Sequence, residues 1–263
     1  MTPVFQAIVD LRTGCVVAYE ALARGPRGHP LEAPDALFRA ARSAGVLAAL
    51  DAICLRTAIN AARSGGLKAP WTLFVNIEPD SHSIDVLTAL APVSRLPVVV
   101  ELTERALTED PSDVLRTVSQ IRQLGWGVAL DDVGVNPDSL ALLPLIAPDI
   151  IKLDAAMVQR PPDEHTARVF SSVAAEQERT GCIVIAEGIE TSDHLQAAYA
   201  LGAHLGQGWL FDRPGKLLAP AADKPFAPLR LRRAPLQRMT RHRSASFPPH
   251  ARCAGRARRS CWP

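Results

Sequence analysis

The sequence predicts an α/β barrel of eight strands surrounded by helices, and three observations lead to that fold. Short segments rich in Val, Ile and Leu alternate with longer segments of helical pattern, the order expected of βαβ units and a parallel sheet. The apolar segments are nearly continuous, as in strands that are covered on both faces. There are eight of them, the number that closes a TIM-like (β/α)8 barrel.

Eight segments of the sequence are predicted to form strands. They are VFQAIVD from residue 4, CVVAYEAL from 15, WTLFVNI from 71, VVVELTE from 98, GVALDD from 127, IIKLD from 150, CIVIAEG from 182 and HLGQGWLF from 204. Helices are predicted between them at 35–44, 48–63, 111–124, 164–180 and 192–201. The Asp-Pro-Ser-Asp stretch at 110–113 is a typical helix start, because Asp caps free backbone N–H groups and Pro is tolerated in the first turn.

The composition divides the chain into a domain at 1–215 and a tail at 216–263. The 263 residues are 48% hydrophobic, enough for one large core. The tail holds twelve Lys/Arg and one acidic residue, so its net charge is +11, whereas the preceding residues carry −9. Its richness in Pro and Arg without a periodic pattern predicts disorder. A basic tail can bind nucleic acid or dock on the acidic domain, and the sequence leaves both open.

Apolar runs and cysteines indicate the compartment. No apolar run approaches the roughly 18 residues that a membrane span requires, and the N-terminus lacks the layout of a signal peptide. The five cysteines are scattered, odd in number and without a CxxC pair, which fits neither a disulfide framework nor a zinc site. These observations predict a cytoplasmic protein that does not associate with membranes.

A polar residue closes almost every predicted strand. These residues are Glu20, Asn76, Glu101, Asp131 with Asp132, Lys152, Glu187 and Gln207. In a barrel of this type the carboxyl ends of the strands form the active face. So many carboxylates on one rim would repel each other unless cations neutralised them, and we therefore interpret Asp131 and Asp132 as metal ligands.

The predicted donor atoms indicate which metal and which reaction. All are oxygens, without His or Cys, which favours Mg²⁺ or Mn²⁺ over zinc. Two such cations bridged by a carboxylate, about 3.5–4 Å apart, commonly serve phosphodiester hydrolysis. The strand ends thus predict a phosphodiesterase with a pair of metal ions.

Ordered motifs over residues 3 to about 215 resemble the EAL-domain cyclic di-GMP phosphodiesterase family. They are "FQAIVDLRTGCVVAYEALAR" with Glu-Ala-Leu at 20–22, "FVNIEP", "VVVELTE", "ALDDVG", "IIKLD", "VIAEGIET" and "GAHLGQGWLFDRP". The resemblance implies a TIM-like barrel with one antiparallel strand. It also implies hydrolysis of cyclic di-GMP to linear pGpG.

The resemblance further implies roles for individual residues. Glu20, Asn76, Glu101 and Asp131 would bind the first metal, and Asp131 with Asp132 the second. Lys152 and Glu187 would orient and activate the attacking water. Gln6, Leu22, Arg24 and Gln207 would contact the substrate, Arg24 by pairing with a phosphate, and Glu104 would anchor the loop after the fifth strand. Taken singly, each residue has an ordinary interpretation as a cap, a turn residue or a solvated strand end.

One loop departs from the family pattern. Where the family has Asp-Asp-Phe-Gly-Thr-Gly-Tyr-Ser-Ser-Leu, this chain has DDVGVNPDSL. Both aspartates remain, but Pro137 removes a backbone donor from the segment that couples the metal site to the family's homodimer interface. The alternative function is therefore a degenerate domain that binds cyclic di-GMP or a protein without turnover.

Overall fold

The computed structural model describes residues 1–78, 85–89, 91, 96–217, 229 and 231, and these form a closed eight-stranded barrel. The strands are β1 Val4–Asp10, β2 Val16–Leu22, β3 Thr72–Asn76, β4 Val98–Thr103, β5 Gly127–Val133, β6 Ile150–Leu153, β7 Ile183–Ala186 and β8 Leu205–Gly206. Each lies inside or overlaps the segment that the sequence predicts, so the TIM-like fold is confirmed.

Strand β1 runs in the direction opposite to the other seven. It pairs antiparallel with β2 on one side and with β8 on the other, whereas all remaining neighbours are parallel. The amino end of β1 therefore lies beside the carboxyl ends of the other strands. The β1–β2 register places Gln6 opposite Glu20, which brings a residue from the start of the chain to the predicted active face.

The helices occupy the segments between strands. They are α1 Pro34–Ser43, α2 Leu47–Ser64, α3 Glu104–Glu109, α4 Pro111–Gln123, α5 Leu143–Ile146, α6 Ala156–Gln159, α7 Glu164–Thr180 and α8 Ser192–Ala200, with a 3₁₀ helix at Pro137–Leu142 before α5. Asp110 caps α4 by accepting a hydrogen bond from the Asp113 N–H at 2.9 Å, as predicted. No helix among the described residues is long and apolar enough to span a bilayer.

Two layers of side chains point into the barrel, because alternate residues of a strand face the same side. The lower layer is apolar and includes Ile8, Ala18, Phe74, Val99, Ala129, Ile150, Ile185 and Leu205. Two positions nearer the active face, the same strands carry the polar residues of the predicted site. A second apolar cluster lies between the strands and the helices. The packed apolar layer thus lies directly beneath the polar layer and separates it from the opposite end of the barrel.

The C-terminal part of the described chain is attached to the barrel. Gly215 exchanges two backbone hydrogen bonds with Phe5, at 2.7 and 2.9 Å, and Leu217 is buried against the outer cluster. Leu229 and Leu231 pack against the inner apolar cluster. The rest of the segment for which the sequence predicts disorder lies outside the described residues.

Candidate functional site

The polar residues predicted at the strand ends meet on one rim. They comprise Gln6 from β1, Glu20 from β2, Asn76 from β3, Glu101 from β4, Asp131 and Asp132 from β5, Lys152 from β6, Glu187 after β7 and Gln207 after β8. A cavity of about 370 Å³ opens there and is lined by Glu20, Asp131, Lys152, Glu187 and Gln207 among others. Strand period and barrel closure, rather than proximity in sequence, bring these groups together.

Lys152 stands at the centre of the carboxylates. Its Nζ lies 2.7 Å from Glu101 Oε1, 2.7 Å from Glu187 Oε1, 3.0 Å from Asp131 Oδ1 and 3.7 Å from Glu20 Oε2. Its side chain is only 1% exposed. Four carboxylates share one ammonium group, so the cluster carries excess negative charge when all of its members are ionised.

The pKa values of the carboxyl groups reflect this crowding. Burial, and then the charge of neighbouring Glu20, raises the pKa of Glu101 well above its ordinary value. Burial raises the pKa of Glu187 to about 8, although Lys152 opposes the shift. Burial also opposes ionisation of Glu20, yet Lys152 and the amides of Gln207 and Asn76 hold its pKa below the ordinary value.

The same carboxylates determine the charge of Lys152. Burial disfavours its ammonium form, but Asp131, Glu101 and Glu187 hold its pKa well above the ordinary value. Lys152 is therefore positively charged at neutral pH. A second cation beside it would find carboxylates that one ammonium only partly neutralises.

Asp132 has an unusual backbone conformation that turns the chain at the end of β5. Its φ is +58°, in the left-handed region that Asp tolerates better than most residues, and the β5–β6 register shifts between Leu130 and Val133. The turn leaves part of the Asp132 residue exposed, but neighbouring protein atoms exclude water from its carboxyl group, and this desolvation, followed by the charge of Asp131, raises its pKa to about 6. Carboxylate oxygens of Asp131, Asp132 and Glu187 lie within 4.8 Å of one another.

A chain of amides fixes the orientation of Glu20. Asn76 donates to Glu20 Oε1 at 3.0 Å, and Gln207 donates to Glu20 Oε2 at 2.6 Å and to Gln6 Oε1 at 3.1 Å. Gln6 in turn donates to the Asp212 carbonyl at 3.0 Å. Gln207, a predicted substrate contact, thus donates directly to the predicted metal ligand Glu20, and Gln6 is linked to that ligand through Gln207.

Several buried oxygens have free lone pairs. Among the described residues, Glu101 Oε2 and Gln207 Oε1 have no hydrogen-bond donor. Glu101 Oε1 and Asp131 Oδ1 also lack a well-directed hydrogen bond, although both lie within ion-pair distance of Lys152. These two contacts are ion pairs. Buried unpaired carboxylate oxygens are costly, and a hard divalent cation would satisfy them.

Glu104 anchors the altered loop in spite of its changed sequence. Its carboxylate accepts hydrogen bonds from the N–H groups of Val135 at 3.0 Å and Asn136 at 2.8 Å, with a weaker one from Gly134 at 3.4 Å. It also accepts from the Ser139 hydroxyl. Glu104 thus holds the backbone of a loop that has Val135 and Asn136 where the family pattern has Thr and Gly.

His165 contacts the same loop from the opposite side. Its Nε2 lies 2.6 Å from the Gly134 carbonyl oxygen, so the ring donates a hydrogen bond there. Asp163 caps the start of α7 two residues earlier. This contact could not be anticipated, because His165 has no partner at a regular sequence spacing and its role depends on how α7 packs against the 3₁₀ helix.

Arg24 and Leu22 line a second cavity beside the carboxylates. Its volume is about 300 Å³, and Asn76, Asp51 and Phe38 also contribute to it. Arg24 donates to the Ala23 carbonyl at 2.8 Å, and Leu22 lines both cavities. The predicted phosphate-binding residue therefore lies next to the carboxylate cluster rather than within it.

The rim also holds residues that the sequence did not single out as functional. Gln159 and Glu190 line the carboxylate cavity, as does Trp209, which the sequence places only at a strand border. Trp209 is 53% exposed, and the Arg213 guanidinium lies 4.3 Å from the centre of its ring. Glutamine and glutamate after a helix or strand carry no distinctive signal, which is why only the folded rim identifies them.

Fold and site together define a TIM-like barrel with a carboxylate-rich centre at the carboxyl ends of its strands. The chain belongs to the EAL domain family, whose sequence model matches residues 1–214. The predicted resemblance is thereby confirmed, as is the single antiparallel strand.

Known relatives are of two kinds, curated proteins and solved structures. The chain is 29% identical over 220 residues to a probable cyclic di-GMP phosphodiesterase, PdeB, of Escherichia coli, covering 80% of this chain and 42% of that protein. It is 32% identical over 156 residues to the cyclic di-GMP phosphodiesterase RocR of Pseudomonas aeruginosa, covering 56% and 40%. Klebsiella pneumoniae BlrP1, solved with calcium and cyclic di-GMP, matches with 29% identity and a TM-score of 0.70, covering 81% and 55%.

These relatives are longer proteins. The chain spans between 26% and 42% of the length of the first curated relatives that it matches. The similarity therefore concerns the barrel. It does not extend to the other parts of those proteins.

Proposed function

We propose that this barrel is a metal-dependent phosphodiesterase that hydrolyses cyclic di-GMP to linear pGpG. The observation that carries the proposal is the cluster of Glu20, Glu101, Asp131 and Glu187 around Lys152, with buried carboxylate oxygens that lack donors. Relatives with this fold are named as cyclic di-GMP phosphodiesterases, and one was solved with that nucleotide and a divalent cation.

The donor set fits two Mg²⁺ or Mn²⁺ ions. Glu20, Asn76, Glu101 and Asp131 would hold one ion, and Asp131 with Asp132 the other. All donors are oxygens, and the unpaired Glu101 Oε2 is the kind of atom that a hard cation satisfies. When bound, such cations stabilise charge on a phosphoryl group and lower the pKa of water.

Lys152 and Glu187 would carry out the proton chemistry. The Lys152 ammonium is fixed by its carboxylate neighbours, so it can hold a water by hydrogen bonding and stabilise negative charge on its oxygen. Glu187, whose pKa is raised to about 8, can accept the proton of that water. The water oxygen bonds to phosphorus, the bond from phosphorus to the ribose 3′ oxygen breaks, and that oxygen takes up a proton.

Arg24 and the amides would position the nucleotide. A guanidinium is suited to a phosphate because it forms two parallel hydrogen bonds, and the Arg24 cavity adjoins the carboxylate cavity through Leu22. Gln6 and Gln207 would contact the substrate from the opposite side of the centre. The two adjoining cavities thereby offer room for both halves of a cyclic dinucleotide.

The test is incubation of the purified chain with cyclic di-GMP and either Mg²⁺ or Mn²⁺, followed by chromatographic identification of the product. We expect pGpG in amounts that depend on the metal, and none after chelation with EDTA. Intact nucleotide under both metals, at enzyme concentrations that bind it, would contradict the proposed reaction.

A binding module without turnover is the second candidate, and the altered DDVGVNPDSL loop favours it. Val135 is 65% exposed, and Pro137 fixes the backbone at the start of the 3₁₀ helix. Against it, the Glu104 anchor is intact and every predicted ligand is present. Titration calorimetry with cyclic di-GMP, run beside the hydrolysis assay, separates binding alone from catalysis.

A further inference from the structure

Two leucines beyond the matched domain pack inside the barrel at the end opposite the candidate site. Leu229 and Leu231 are half-buried and contact the inner apolar cluster, which includes Val99, Ala129 and Ile150. The EAL domain match ends at residue 214, so neither leucine belongs to it. Both leucine side chains pack against this layer, which lies at the foot of the barrel interior.

The position of Leu231 is matched by a missing side chain in β5. Gly127 is the first residue of that strand and precedes the inward-facing Ala129 by two positions. A Cβ atom on Gly127 would lie 3.0 Å from both Leu231 Cδ1 and Leu231 Cδ2, and 3.2 Å from Val99 Cγ2. Leu231 therefore occupies the space that a side chain at position 127 would need.

We infer that the segment containing Leu229 and Leu231 is a plug that closes the amino-terminal end of the barrel, with Gly127 as its seat. Without it, the inner apolar layer would be open to water at that end, because Gly127 contributes no side chain and Ala129 above it is small. Covering apolar surface stabilises the fold in proportion to the area removed from water. The partner of this surface is thus a segment of the same chain.

Leu229 and Leu231 lie in the basic part of the sequence, where Lys224, Arg230, Arg232 and Arg233 flank them. A tail that only solvates its charges, as composition alone predicts, would need no such pair of leucines.

The first test compares Leu231→Ala with Leu115→Ala in the full chain. Leu115 lies on α4 and is exposed, so it controls for the chemistry of the substitution. Truncating a half-buried leucine removes part of the packing that a fully buried one provides, so we expect Leu231→Ala to lower the melting temperature by about 3–6 °C. Leu115→Ala should shift it by about 1 °C or less.

The second test is a double-mutant cycle with Gly127→Ala. In the wild-type background the added methyl group meets Leu231, so we expect a lower melting temperature. In the Leu231→Ala background the same change should lose at least half of that effect, because the space is vacated. Equal effects in both backgrounds would show that Leu231 does not occupy the seat and would overturn the inference.

Limited proteolysis provides a readout that does not depend on global stability. Trypsin should cleave the native wild-type chain after Arg230 more slowly than the Leu229→Ala/Leu231→Ala variant, by roughly fivefold or more relative to cleavage after Arg241. Equal rates in the two proteins, with an unchanged melting temperature for Leu231→Ala, would place the segment in solvent and refute the plug.

Discussion

Lys152 is the residue whose surroundings constrain the chemistry most. It is fully buried and within 4 Å of four carboxylates. Such an arrangement is a poor stabilising device, since burying charge usually costs about as much as pairing recovers. The position of this charged cluster at the carboxyl ends of the strands instead supports its proposed role of holding cations and polarising water.

Replacing Lys152 by Met tests its role in the chemistry. Met keeps much of the apolar stem but removes the ammonium, so we expect turnover of cyclic di-GMP to fall by at least about 10²-fold. Affinity for the nucleotide should change by about tenfold or less, about 1.4 kcal/mol, because Arg24 and the carboxylates remain. Hydrolysis assays and titration calorimetry measure the two effects. Equal losses would make Lys152 a substrate anchor.

The pKa values of Asp132 and Glu187 predict how metal binding depends on pH. Carboxyl groups must release their protons to bind a cation, and burial raises these pKa values to about 6 and about 8. Mn²⁺ affinity should therefore strengthen as pH rises from about 5.5 to 8, with net proton release at the lower end. Calorimetry in buffers of different ionisation enthalpy measures both quantities. Affinity independent of pH would contradict the assignment of Asp132 as a ligand and the placement of Glu187 beside the metal site.

At the scale of single elements, the loop between β5 and the 3₁₀ helix is held from two sides. Glu104 accepts from its backbone N–H groups, while His165 donates to the Gly134 carbonyl. This explains how a segment with a changed sequence keeps its course, since most of these contacts are made by the loop's backbone. Side chains in the loop can vary as long as the anchors remain.

Glu104→Gln tests the anchor, with Glu109→Gln as the matched control on the same helix. The amide keeps the size of the carboxylate but loses its charge and introduces a donor facing backbone N–H groups. A lost charged hydrogen bond costs about 1.5–3 kcal/mol, so we expect the melting temperature to fall by about 3–9 °C. Turnover should fall by about tenfold or more, because Asp131 and Asp132 precede the loop directly. Glu109 is exposed, and its variant should behave as wild type in both assays.

At the scale of the whole molecule, the carboxylate centre and the barrel are linked through metal binding. The strands β2, β4, β5 and β6 each contribute one member of the Glu20, Glu101, Asp131 and Lys152 group. A cation that binds the carboxylates of Glu20, Glu101 and Asp131 would contact three strands at once and would not bind the unfolded chain in the same way. Metal binding should therefore stabilise the entire fold.

Addition of Mn²⁺ at about 100 times its dissociation constant should stabilise the chain by about 2.7 kcal/mol, which raises the melting temperature by about 5–10 °C. Glu20→Ala should remove most of this shift and lower turnover by orders of magnitude. Its metal-free melting temperature should remain close to that of the wild type, since the rim contributes little to packing. Thermal denaturation with Mn²⁺ and with EDTA measures the shift. A full shift in Glu20→Ala would exclude that residue as a ligand.

The sequence by itself determined where the strands and the main helices lie and which residues close the strands. Near-continuous Val, Ile and Leu mark strands such as β4, and the polar residue after each run, for example Glu101 or Lys152, is visible without a structure. These properties follow from local period and polarity, which a linear sequence records directly. The departure from the family pattern at DDVGVNPDSL is visible in the same way.

Only the tertiary structure decided which distant groups meet. Gln6 meets Gln207 because β1 pairs with β8, His165 reaches Gly134 because α7 packs against the 3₁₀ helix, and Leu231 contacts the space that Gly127 leaves. None of these contacts has a local sequence signal, because each joins residues more than 30 positions apart that only the packing of the barrel brings together. Local periodicity specifies an element and its faces, whereas the packing of elements selects the partners across them.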